Sequence, residues 1–165
     1  MAFLPNSTFE NGAAGWRPNN FANVVNMNVV QNGTAQSGNA FLHVRSAVQG
    51  GSVAIDVSLP SQGGPHPGAV LSGPWTPPVP SLGVFAWVRA SPGSGPVSAV
   101  LTIWNLTGQP QVHPDTKFTA LDGNWVLITN AIDLPIQNGP LTTIRVEFYI
   151  NTFGGQLDID SVVLV

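Results

Sequence analysis

Cysteine is absent from the 165 residues, which excludes disulfide staples, thiol nucleophiles and thiolate metal sites. Charge is scarce. Asp, Glu, Lys and Arg together make 8% of the chain, against roughly 25% in typical soluble domains. The balance is a mild −3, with no basic stripe for a phosphate backbone, so nucleic acid is not an expected partner. No apolar run reaches membrane-spanning length, and no basic N-terminal region precedes an apolar stretch. The expectation is therefore no membrane insertion and no secretory signal peptide. No window keeps a helical period. The G-x-S-x-G, P-loop, H-E-x-x-H and G-x-G-x-x-G patterns are all missing, and His43, His66 and His113 lack metal-ligand spacing.

Apolar residues are plentiful at 43%, enough to exclude disorder, and the length suits one domain with a real core. These residues alternate with polar ones at period two, the mark of strands with one buried face. Leu42 and Val44 oppose Phe41, His43 and Arg45. Val53, Ile55, Val57 and Leu59 oppose Asp56. Further strands are expected over 23–30, 82–90, 97–104, 124–133 and 143–151. The closing Gln156–Val165 is the most sheet-bound stretch, because an apolar strand left unpaired invites aggregation. Turn-rich intervals of about ten residues between strands point to a sandwich or jelly roll. Between residues 60 and 81 proline and glycine exclude helix and central strand. This is a long Pro/Gly-rich loop with Trp75 at its centre.

Several motifs carry a family resemblance. The opening N-S-T-F-E-N-G-A-A-G-W (6–16) and the closing L-D-I-D-S-V-V-L (157–164) bracket S-G-N-A-F-L-H-V (37–44), L-G-V-F-A-W-V-R-A (82–90), F-T-A-L-D-G-N-W-V (118–126) and I-R-V-E-F-Y-I (144–150). In this order they resemble carbohydrate-binding modules of families 4, 9 and 22. The resemblance implies an all-β, single-domain jelly-roll β-sandwich of two antiparallel sheets spanning 1–165, without catalytic activity. It also implies a structural Ca²⁺ held by Glu10 and Asp160 with backbone carbonyls of the loop near 32–39, since hard oxygens suit that ion. The alternative is that the two carboxylates only accept hydrogen bonds.

Saccharides are held by aromatic faces together with amides, carboxylates and arginine. By alternation, Phe85, Trp87 and Arg89 share one face of their strand, and Glu147, Tyr149 and Asn151 share one face of theirs. Should these faces lie side by side, Trp87, Arg89, Glu147, Tyr149 and Asn151 line a groove that Trp104 and Thr102 extend. The competing expectation buries Trp87 and pairs Arg89 with Glu147. Trp125 reads as core.

Two functions follow. The first expectation is a structural or attachment subunit of a larger particle, such as a bacteriophage capsid-decoration or tail-associated protein. Its charge-poor surface would meet other copies or other subunits, with Trp75 as the assembly anchor. The alternative is a polysaccharide-binding module with an aromatic-lined sheet face. The corresponding location is a virion surface or the extracellular space.

Overall fold

A computed structural model describes residues 2–3, 7–60, 81–107, 113–134 and 141–165. The interior of the expected 60–81 loop, with Trp75 and His66, lies outside the described residues.

Two antiparallel sheets form the structure, as the alternation and the family resemblance both predict. In one sheet the spatial order is β3 (Val25–Gln31), β4 (Ala40–Ser46), β11 (Gln156–Leu164), β6 (Ser81–Ala90) and β9 (Val126–Asp133). The short β1 (Ala2–Phe3) pairs with the far end of β11, opposite Leu164 and Val163. In the other sheet the order is β2 (Trp16–Pro18), β5 (Gly51–Pro60), β10 (Leu141–Ile150), β7 (Val97–Asn105) and β8 (Asp115–Ala120). Sequence patterning missed β2 and β8. The first is too short to show a period, and in β8 the side chains of Asp115, Lys117 and Thr119 are exposed, leaving few apolar positions to reveal the alternation.

The inward faces of the two sheets merge into one core. Leu42 and Val44, Val84, Ala86 and Val88, and Leu157 and Ile159 come from the first sheet. Val53 and Ile55, Leu101 and Ile103, and Val146 and Phe148 come from the second. Burying a leucine, isoleucine or phenylalanine side chain contributes about 1.5–3 kcal/mol. The strand that ends the chain, β11, lies between β4 and β6, so the C-terminal segment sits mid-sheet rather than at an edge.

Two residues turn the backbone into unusual conformations that place side chains. Phe9 adopts φ 58°, a left-handed geometry costly for a bulky residue. It sends the ring into the core against Trp16, with centroids 5.8 Å apart, and leaves the next residue, Glu10, facing the 36–40 loop. Ser161, at φ 48°, marks a bulge between Asp160 and Val163 in the pairing of β11 with β6.

Candidate functional site

The outer face of the second sheet is the candidate site. Along β10, Ile144, Val146, Phe148 and Ile150 are fully buried in the core, so alternation turns Arg145, Glu147 and Tyr149 outward. Antiparallel register places Arg145 opposite Asp56 and Trp104, Glu147 opposite Ala54 and Thr102, and Tyr149 opposite Ser52 and Val100. Small side chains at Ala54 and Ser52 let the surface sink beside the larger ones. Three adjoining hollows of about 380, 220 and 510 Å³ result. Trp104 and Tyr149 line both of the first two, and Val100 and Asn151 line both of the last two. Together they make a trough running from Asn19 and Asn20 across β10 and β7 to Lys117 on β8.

Trp104 stands between two of these hollows. Its ring is stacked on His113, centroids 4.3 Å apart and 35° between planes. The indole Nε1–H is buried and, among the described residues, meets no acceptor in hydrogen-bonding geometry, although the indole lies close enough to pull the Tyr149 pKa down. The net shift of Tyr149 is upward, because burial and the neighbouring Glu147 carboxylate both disfavour the phenolate. Glu147 accepts from Asn19 Nδ2 at 2.7 Å and from the Ser52 hydroxyl. At one end of the trough Asp56 takes Arg145 Nε at 2.7 Å and Arg17 at 3.1 Å. Burial alone would raise the Asp56 pKa, but the two guanidinium groups bring it below the ordinary carboxylate value.

The expected five-residue groove therefore divides. Glu147, Tyr149 and Asn151 share this trough with Trp104, as does Thr102. Trp87 and Arg89 do not: they lie on β6, in the opposite sheet. Alternation shows which side chains point outward but not which sheet a strand joins. Trp87 is half-buried beside an apolar hollow of about 270 Å³ with Phe85, Leu127 and Val165. Arg89 is 4% exposed and pairs with Asp158, at 2.8 Å, rather than with Glu147. Trp125 is not core either. It is half-buried and lies over the Arg89 guanidinium at 4.4 Å.

Sequence reasoning also missed His113, Asn19, Asn20 and Arg145. Arg145 carries the same period as Glu147 and Tyr149 and was legible in that pattern. The two asparagines and His113 reach the trough from connections, where no period exists to reveal them.

Two further clusters lie outside the trough. Asp158 Oδ1 is 2.8 Å from His43 Nδ1, and the Ser91 hydroxyl donates to the same oxygen at 2.6 Å. Ser91 and Asp158 address the same imidazole nitrogen, whereas a serine–histidine–aspartate relay needs one on each. The second cluster brings the loop between β3 and β4 onto Glu10 and Asp160. Glu10 Oε1 accepts from the amides of Asn39 and Ala40 at 2.6 and 2.8 Å, and Asp160 Oδ2 accepts from Ser37 at 2.9 Å. Burial and the Glu10 charge raise the Asp160 pKa. Among the described residues no Arg or Lys pairs with either carboxylate, and no group of three His, Cys, Asp or Glu converges on a metal position.

The chain has the jelly-roll fold of carbohydrate-binding modules. It is similar to the CBM22-1 xylan-binding domain of Paenibacillus barcinonensis Xyn10C, with a TM-score of 0.67 and 12% identity over 99% of this chain and 91% of that one. A family 61 module solved in complex with β-1,4-galactotriose gives a TM-score of 0.65 and 16% identity over 100% and 98%. The C-terminal family 22 module of Clostridium thermocellum Xyn10B gives 0.67 and 15% over 99% and 92%. No protein-family model matches the chain, and no curated protein does.

Proposed function

We propose that this protein is a glycan-binding module that lays a saccharide along the outer trough of the second sheet. The observation that carries this reading is the trough itself. It is a continuous depression with a tryptophan and the chain's single tyrosine on its walls and the amides of Asn19, Asn20 and Asn151 along it. Aromatic faces bury the apolar faces of sugar rings, and side-chain amides reach hydroxyls. Two similar structures support the reading, one described as xylan-binding and the other holding β-1,4-galactotriose. The particle-subunit reading gains no such support, since nothing in the comparisons speaks for a virion and Trp75 lies outside the described residues.

The two outer faces make the test sharp. A glycan panel containing xylohexaose and β-1,4-galactotriose should yield a ligand by calorimetry. Trp104→Ala and Tyr149→Ala should each weaken it by about tenfold or more, a loss of about 1.4 kcal/mol. Trp87→Ala, on the opposite sheet, should leave binding unchanged. Loss of binding in Trp87→Ala alone would move the site to the other face and overturn the proposal.

A structural Ca²⁺ at Glu10 and Asp160 belongs to the same reading. Two hard carboxylates of like charge, drawn together without a basic partner among the described residues, suit a hard divalent cation.

A further inference from the structure

The far end of the trough differs in charge from the rest. At the end that Asn19 and Asn20 line, Arg17 and Arg145 share Asp56, and Glu147 accepts from Asn19 and Ser52. Midway, Asp115 takes the Thr102 hydroxyl at 2.8 Å and lies 3.6 Å from His113 Nδ1. The hollow of about 510 Å³ beyond them is lined by Ser98, Val100, Lys117, Thr119 and Asn151 and, among the described residues, by no carboxylate.

Strand register builds this hollow. Lys117 stands opposite Val100, which stands opposite Tyr149, and Ser98 stands opposite Thr119. Phe118 packs against the core, so alternation turns Lys117 and Thr119 outward. The backbone of Lys117 lies two strand steps, about 10 Å, from that of Tyr149. Of the five basic residues in the chain, Arg17 and Arg145 are held by Asp56 and Arg89 by Asp158. Arg45 and Lys117 have no acidic partner among the described residues, and Arg45 belongs to β4 in the other sheet. Lys117 is therefore the unpaired cation of the trough. The side chains of Ser98, Thr119 and Asn151 around it likewise make no hydrogen bond among the described residues.

We propose that this end of the trough takes an anionic sugar residue, a uronic acid whose carboxylate meets Lys117 while Ser98, Thr119 and Asn151 reach its hydroxyls. The proposal rests on the glycan reading above and adds the class of saccharide. A lysine ammonium is a compact point charge with three hydrogens to donate, and here none is spent on a protein carboxylate. Hydroxyls and a carboxamide both donate and accept, so they suit the neutral part of the same sugar. A neutral residue in this hollow gains nothing from the charge. Lysine on an edge strand such as β8 also discourages pairing with other chains, but that role needs only a charge and favours no class of sugar.

Two acidic probes test this by calorimetry. One is a xylo-oligosaccharide carrying a glucuronic acid branch and the other an oligogalacturonate. Each is compared with the same molecule after its carboxyl groups are reduced to alcohols, so that only charge differs. The wild type should bind at least one acidic probe about threefold to fivefold more tightly than its neutral form at low ionic strength, the range of an exposed ion pair. That advantage should shrink as added salt screens it. Lys117→Gln should bring the ratio to about one, and Lys117→Arg should keep it. Both changes fall on an exposed position where folding is not at risk. Arg45→Gln, on the opposite sheet, removes the same net charge and should leave the ratio as in the wild type. A wild-type ratio near one for both probes overturns the proposal, as does a preference that survives Lys117→Gln or falls equally in Arg45→Gln. If the neutral forms bind and Trp104→Ala weakens them while charge makes no difference, the glycan reading stands and this proposal falls. If no probe binds the wild type, the two fall together.

Discussion

Arg89 shows how a side chain that points outward can still be interior. The guanidinium donates through Nε to Asp158, and its other nitrogens reach the carbonyl and hydroxyl of Thr34. Phe41 lies 4.9 Å away and Trp125 4.4 Å away, so the charge is held between two rings. Asp158 is 1% exposed, and breaking a buried pair from one side leaves an uncompensated charge. Arg89→Met should therefore cost about 3–5 kcal/mol in chemical denaturation, while leaving glycan affinity at the opposite sheet unchanged. Equal loss of binding and stability would mean that the two faces are coupled.

The connection from β3 to β4 is an element held from three directions. Arg89 and Trp125 Nε1 both donate to the Thr34 carbonyl. Asp160 takes the Ser37 amide, and Glu10 takes those of Asn39 and Ala40. Gly38 sits between them at φ +69°, and a Cβ there would collide with the Glu10 carboxylate. The turn is thus wrapped around the two acids that also tie β11 to the N-terminal segment. A cation that binds only the folded clamp stabilises it by mass action. Added Ca²⁺ should raise the melting temperature by several degrees and EDTA should reverse the gain. Identical melting curves would show that the amides alone satisfy Glu10 and Asp160.

Scarcity of charge has consequences for the whole molecule. Few carboxylates can drive acid unfolding, and the Asp56 pKa lies below its ordinary value of 3.8. The sign follows from linkage: a depressed folded pKa contributes stability that is complete above 3.8 and is lost as pH falls through the lower folded value. The melting temperature should stay nearly level through neutral pH and decline below about pH 4. Asp56→Asn should flatten that acid decline. The effect is small, since Asp56 is a third exposed at the side chain and its pairs are screened by solvent. A decline of unchanged steepness would assign the acid limb to other carboxylates.

Much of this architecture was written in the order of residues. Period-two alternation determined which side chains of β4, β5, β6, β7 and β10 enter the core, because successive side chains of a strand must point to opposite faces. The apolar run at 156–165 identified a strand that had to be paired. The resemblance of the two chain ends to a known fold supplied Glu10 and Asp160 as an expected Ca²⁺ pair, which the melting experiment with Ca²⁺ and EDTA tests. What alternation could not supply was the partner of each strand. Strands β6 and β10 look alike as sequences, yet one pairs with β11 and β9 and the other with β5 and β7. That choice sent Trp87 and Arg89 to one outer face and Trp104, Glu147 and Tyr149 to the other. Pairing is a long-range property, decided when both inward faces are buried together. Only the folded sheets could bring Asn19, His113 and Tyr149 to one trough.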